Sequence, residues 1–254
     1  MVWPYQIDRI VIIAAPRDVV FSFFTDSARL ATWWGAGSTI DANVGGRVSI
    51  KLPGNTEVSG EVLELHEPQH LVFSYGYASG KPFPPGASRV TIRLEDAGSA
   101  TRLHLTHEFP EEASRNEHVQ GWRYQLSLFS NAVLDVVHAH AADQVDAWFA
   151  LWAEPDAAVR GTTLARIAST SVSFRDRHSM IDGTSDLSEH IAAGQRFMPG
   201  VVLQRRGNVR HCQGVVIADW AINGKDGVTI GTGSNVFVMD ADGRIAGVTG
   251  FWGS

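Results

Sequence analysis

The stretch SFRDRHSMIDG, residues 173–183, puts Asp176 directly after an alternating apolar run and seven residues before Gly183. A carboxylate in that place caps a strand-to-loop turn, pairs with Arg175 or Arg177 at the surface, or acts as a base. Partial burial would suit it to take a proton from a carbon next to a carbonyl. His178 lies two residues on, and His211 sits mid-strand in VRHCQG. Each is either a proton shuttle, a role histidine side chains commonly take, or a structural histidine.

Other chemistries find no support in the spacing. His104 and His107 in HLTHE lie three apart on a strand and face opposite ways. His138 and His140 on a helix would diverge by about 200°, so no metal-ligand set emerges. There is no Gly-x-Ser-x-Gly elbow, and GTGSN lies inside a strand pattern rather than ahead of a helix, where it would cradle phosphate. The expectation is proton-transfer chemistry with no cofactor and no metal.

The chain has 254 residues, 44% of them hydrophobic and 19% charged, which suits two folded domains rather than a disordered chain. A net charge of -6 with no Lys/Arg run argues against a nucleic-acid partner. The single cysteine, Cys212, excludes an intrachain disulfide and is expected to be a buried, inert thiol. The N-terminal MVWPYQIDRI has no signal-peptide pattern, and no apolar run approaches the roughly 20 residues that span a bilayer. A cytoplasmic protein with no membrane partner is expected.

The elements that must position these residues follow from periodicity. QIDRIVIIAA reads as a strand, PRDVVFSFFTD and SARLATWW as short helices, and GRVSIKLP, EVSGEVLELHEP, HLVFSYGY, SRVTIRLED and TRLHLTHEF as an antiparallel meander. A long helix from about Glu111 to His140 carries Trp122, Leu126, Phe129, Val133 and Val137 on one stripe that would cover the sheet. Tyr75, Tyr77, Arg89, His107 and Trp122 interrupt the apolar cavity-side patterns and are candidate pocket polars of this half. The pattern then restarts, giving domains 1–140 and 141–254. In the second, DQVDAWFALWAE and PDAAVRGTTLARIA read as helices, STSVSF as a strand, and SDLSEHIAAGQRF as a helix capped by Ser185 or Asp186. GVVLQRRGN, VRHCQGVVIADWAI, GVTIGTGSNVFVMD and RIAGVTGFWG follow as a curved antiparallel sheet, with DADGR as a hairpin. The fold class expected is α+β.

The motifs FTDSARLATWWG, GGRVSI, GEVLELHEPQHLVFSYGY, PPGASRVTIRLE, LTHEFP and HVQGWRYQLSLFSN resemble the bacterial homologues of the activator of the 90-kDa heat-shock-protein ATPase, of the START-like (SRPBCC) superfamily. That resemblance implies a helix-grip fold with a cavity for apolar or amphipathic molecules. DAWFALWAEPD, VSFRD, IDGTSDLSEHI, ADWAI and GSNVFVMDADGRIAGVTGFWG resemble the SnoaL-like branch of the nuclear-transport-factor-2-like superfamily. This implies a cone-shaped sheet over helices with a pocket at its open end, commonly as a homodimer.

Laid on the ketosteroid-isomerase pattern of that superfamily, Asp176 takes the general-base position. The oxygen-holding tyrosine and second acid correspond to Trp148 and Asn235, so steroid isomerisation as such is not implied. Asn235 still donates through its amide and the indole through its N–H. Together with the residues read directly from the pattern, the candidate catalytic set is Asp176, Asn235 and His178, with Trp148, Trp152, Phe237, His211, Tyr75, His107 and Trp122 expected against the substrate. The resulting expectation is binding of a small hydrophobic or polyketide-like metabolite, with cyclase, isomerase or dehydratase-type acid/base chemistry in the C-terminal pocket. The rivals are a non-catalytic ligand-binding protein and a chaperone ATPase cofactor.

Overall fold

The computed structural model describes residues 3–253. The chain forms two compact units, the first ending at Leu134 and the second beginning at Asp135. The fold is mixed α+β.

The first unit runs β1 (Tyr5–Ile13), α1 (Arg17–Thr25), α2 (Ser27–Trp34), β2 (Thr39–Ile40), β3 (Arg47–Leu52), β4 (Thr56–His66), β5 (His70–Tyr75), β6 (Ser88–Ala97), β7 (Ala100–Phe109) and α3 (Glu112–Val137). Its sheet has the order β1-β7-β6-β5-β4-β3-β2, antiparallel at every pairing. Alternation along β6 buries Val90, Ile92 and Leu94 and leaves Arg93 and Glu95 outside. The helix α3 buries Trp122, Leu126, Phe129 and Val133, at spacings of four, three and four. Phe129 stacks on Phe24 at 4.5 Å and meets Trp33 edge-on at 4.9 Å. Burial of each such side chain contributes about 1.5–3 kcal/mol. The WWG motif is core, with Trp33 and Trp34 stacked at 4.5 Å.

The second unit begins in the last turn of α3 and continues through α4 (Ala141–Leu151), α5 (Ala157–Ile167), β8 (Ala168–Arg175), β9 (Met180–Asp182), α6 (Thr184–Phe197), β10 (Val202–Cys212), β11 (Val215–Asn223), β12 (Thr229–Met239) and β13 (Ile245–Trp252). Its sheet order is β10-β11-β12-β13-β8-β9. Its core joins Val145, Trp148 and Phe149 of α4 to Leu164, Leu187, Ile191, Phe237 and Val248.

Three expectations need correction. The second sheet is not wholly antiparallel, because β13 runs parallel to β8 in the register Val248↔Phe174 and Thr249↔Arg175. A pairing between strands so far apart in sequence leaves no turn signal to read. The helix α6 starts at Thr184 behind Gly183, whose φ of 87° makes the turn, so neither Ser185 nor Asp186 is the cap. Cys212 is exposed rather than buried, since it ends the edge strand β10 beside the β10–β11 turn. No helix among the described residues is long and apolar enough to cross a membrane.

Candidate functional site

Strand register brings together the residues of one pocket in the second unit. Arg175 pairs with Thr249, so the next residue, Asp176, arrives beside Gly250 of β13. Across the next ladder Gly250 pairs with Asn235 of β12. A Cβ at Gly250 would stand 3.1 Å from Asn235 Oδ1 and 3.3 Å from Asp176 Cβ, so the bare glycine lets the two polar side chains flank one point. Further along, Gly233 pairs with both Trp220 of β11 and Trp252 of β13. A Cβ there would lie 2.3 Å from the Trp220 ring, and its absence allows the two indoles to meet edge-on at 5.2 Å.

The cavity so formed holds about 360 Å³, within the range of small-molecule sites. Asp176 and Asn235 lie on its wall with Trp152, Phe174, Trp220 and Trp252. Met198, Val201, Leu203 and Ile222 supply an aliphatic side, and His178, Ser179, His190 and Gln195 supply further polar atoms. Asp176 is half-buried and is the one carboxylate on the wall, which includes no lysine or arginine. Its Oδ1 accepts the His178 backbone N–H at 2.8 Å and its Oδ2 accepts the Trp252 indole N–H at 3.2 Å. Asn235 is buried, and its Oδ1 accepts the Trp220 indole N–H at 2.9 Å. Indole nitrogen only donates, so this bond fixes the amide orientation and assigns the other end of Asn235 as the donor.

Of the residues singled out from sequence, Asp176, Asn235, His178 and Trp152 line this pocket. The others do not. Trp148 and Phe237 are core, 1% and 0% exposed, and pack edge-on against each other at 5.9 Å. His211 is held elsewhere in the unit, by Asp135 at 2.8 Å and His138 at 3.1 Å. The exposed imidazole of His178 touches the site through its backbone N–H and its ring contact with Trp252 at 5.5 Å.

Tyr75, His107 and Trp122 meet inside the first unit, in a closed circuit of hydrogen bonds. Ser88 Oγ donates to the Tyr75 carbonyl at 2.9 Å, which leaves it to accept His107 Nε2–H at 2.9 Å. His107 Nδ1 then accepts the Trp122 indole N–H at 2.9 Å, which assigns the imidazole as neutral. Burial, and secondarily the nearby His118, hold its pKa well below the ordinary imidazole value. His118 donates from Nδ1 to the Ser114 carbonyl and accepts the Tyr77 hydroxyl at 3.2 Å. Burial raises the Tyr75 phenol well above its ordinary value, with Tyr77 adding to the effect. Arg89 pairs with Glu108 at 2.7 Å and covers the Trp3 ring. Rings fill this region, with His107 and Phe109 at 3.9 Å, so these residues build core where sequence suggested pocket polars.

Sequence reasoning missed Ser179, His190, Trp220 and Trp252. Trp220 in ADWAI and Trp252 at the end of GFWG stand out only once Gly233 is seen to lie between them.

Residues 14–133 match the family described as Activator of Hsp90 ATPase homolog 1-like protein. The first unit resembles that family. The match ends before the second unit begins, so the pocket lies outside the activator-like segment. Among solved structures, the chain is similar to CalU16 from Micromonospora echinospora at 30% identity over 50% of this chain and 75% of that one, with a TM-score of 0.43. A SnoaL-like family protein from Agrobacterium tumefaciens is 20% identical over 47% of this chain and 99% of that one, with a TM-score of 0.43. An HSP90 activator from Plasmodium falciparum is 23% identical over 48% of this chain and 90% of that one, with a TM-score of 0.40. No curated protein matches the chain significantly.

Proposed function

We propose that the second unit binds a small, largely apolar metabolite carrying a carbonyl group and moves a proton on it. The observation that carries this reading is the placement of Asp176 and Asn235 on either side of Gly250 in the wall of an aromatic pocket. A carbonyl oxygen held by the Asn235 amide would present its neighbouring C–H to the Asp176 carboxylate, which takes the proton as the enolate forms. The amide N–H₂ donor then faces the oxygen on which charge develops. Trp152, Trp220, Trp252 and Phe174 exclude water and favour a flat ring system. A wall with one carboxylate and no lysine or arginine disfavours a ligand that is itself an anion.

Quenching of tryptophan fluorescence by bicyclic ketones tests the binding half of this reading. Uncharged ketones are expected to quench saturably and to bind at least tenfold more tightly than the matching carboxylates. Equal affinity for both classes, or no saturable quenching, counts against it. A second reading, ATPase activation by the first unit, is favoured by the family match over residues 14–133 alone. Absence of any stimulation of a 90-kDa heat-shock ATPase would remove it.

A further inference from the structure

The inward stripe of α6 carries one polar side chain where the pattern calls for an apolar one. Leu187 and Ile191 are buried four residues apart, and the next position of that stripe is Gln195, on the wall of the cavity. Its amide nitrogen donates to two carbonyls at and just beyond the end of α4, that of Trp152 at 3.2 Å and that of Glu154 at 2.8 Å. A backbone carbonyl only accepts, so these bonds fix which end of the amide is nitrogen. Both N–H groups are used in this way. The oxygen Oε1 is left as an acceptor with no donor among the described residues.

The other polar groups of the wall are differently committed. Asp176 accepts on both oxygens, and Asn235 Oδ1 accepts the Trp220 indole N–H. Ser179 Oγ and His190 Nε2 are bonded to each other at 3.2 Å. Each neutral amide therefore keeps one open end: the N–H₂ of Asn235 on the sheet side of the cavity and Oε1 of Gln195 on the helix side. The two ends have opposite hydrogen-bonding sense. A ligand that fills the cavity removes water from both, and each is then satisfied only by a ligand group of the complementary kind.

We propose that Gln195 determines specificity, its Oε1 accepting a hydrogen bond from a hydroxyl group on the part of the ligand remote from the carbonyl. This rests on the binding of a ketone in this cavity and not on the proton transfer. It narrows the ligand from a flat ketone to a hydroxy ketone, which accepts from Asn235 at one end and donates to Gln195 at the other. An amide oxygen carries no formal charge, so it suits a neutral hydroxyl rather than an ammonium group, whose charge would go unbalanced at that end. An ether in the same place has lone pairs but no hydrogen, and would set oxygen against oxygen.

The test uses three matched series of bicyclic ketones, bearing hydrogen, hydroxyl or methoxy in turn at each position of the second ring, with affinity read by quenching of tryptophan fluorescence. In wild type, the hydroxy ketone of at least one position should bind about threefold to tenfold more tightly than both the unsubstituted ketone and its own methyl ether. Two variants assign that preference. Gln195→Met removes the acceptor and the donors together, whereas Gln195→Lys keeps a donor for the Trp152 and Glu154 carbonyls and removes only the acceptor. In both, the ratio of hydroxy to methoxy affinity should fall to within about twofold of one. Circular dichroism identifies a variant that fails to fold, and the other variant and the wild-type series then decide.

A glutamine that only braces the end of α4 would lower affinity for all three ligands alike and leave the ratio intact, which would overturn the proposal. Hydroxy and unsubstituted ketones of equal affinity at every position in wild type would overturn it as well. A methyl ether that binds as tightly as its hydroxy ketone would show that a donor, not Gln195 Oε1, reads that end. Saturable binding of the unsubstituted ketone with no hydroxyl preference removes this inference alone; no saturable binding of any ketone removes the pocket reading with it.

Discussion

Each unit of this protein carries a cluster of aromatic rings, imidazoles and hydroxyls, and the two clusters are built to different ends. Around His107 every polar atom of the circuit has a protein partner: Trp122 donates to it, it donates to Ser88, and Ser88 donates to the Tyr75 carbonyl. Around Asp176 one carboxylate oxygen accepts the His178 backbone N–H and the other the Trp252 indole N–H, Asn235 Oδ1 accepts the Trp220 indole N–H, and a cavity of about 360 Å³ remains in front of them. The same residue types hold a core together where their bonds are closed, and offer chemistry where capacity is left over beside empty apolar volume. That distinction decides which candidate residues carry function.

The contrast can be broken most forcefully from the first unit. His107→Ala strands the Trp122 indole N–H and leaves a void among rings, a combination expected to cost about 3 kcal/mol or more. Chemical denaturation should show that loss, while ligand quenching in the second unit stays unchanged in the protein that remains folded. Weakened quenching would mean that the circuit serves the pocket as well as the core.

The pocket side is sharpened by Gly250→Ala. The added methyl would contact both Asn235 Oδ1 and Asp176 Cβ, so the pair must separate by some tenths of an ångström. Turnover should drop by roughly tenfold to 100-fold, with a stability change of less than about 1 kcal/mol. Turnover equal to wild type would show that the spacing of the pair does not matter.

The smallest effect concerns pH. His107 and His118 are both held neutral by burial, below the ordinary imidazole value of 6.5. In the unfolded chain each takes a proton as the pH drops through that value, whereas in the folded unit they resist it. Their contribution is therefore fully present above pH 6.5 and declines as pH falls toward the depressed folded values. Thermal midpoints measured from about pH 8 to about pH 5 should decline on the acid side, and the decline should be shallower in His118→Gln. A midpoint that rises on acidification would contradict neutral, closed bonding.

Much of this was legible in the sequence because it is local. Alternation in SRVTIRLED and the helical stripe of Trp122, Leu126, Phe129 and Val133 depend on neighbours a few residues apart, and both elements form as read. Asp176 was legible as the residue ending an alternating strand. Position along a strand was not. Asn235 and Phe237 share a face of β12 and both are buried, yet Asn235 reaches the cavity while Phe237 is packed under α4 against Phe149. Trp148 fails for the same reason, being packed beneath the pocket floor between Phe174 and Phe237. The pairing of Trp220 with Trp252, and of Ser179 with His190, depends on strand register and helix placement that no short window contains. His107 looked like a pocket residue because an interrupted apolar pattern does not reveal whether the interruption has partners.

The central claim is that proton transfer belongs to the open cluster and not to the closed one. Solvent-deuterium exchange at the carbon next to the carbonyl of a bound bicyclic ketone, followed by NMR in wild type, Asp176→Asn and Tyr77→Phe, tests it most directly. The account predicts that Asp176→Asn slows exchange by about 100-fold or more, and that Tyr77→Phe, which removes a hydroxyl from the first unit's circuit, exchanges at the wild-type rate. Exchange that survives in Asp176→Asn, or that is lost in Tyr77→Phe while the protein stays folded, would contradict it.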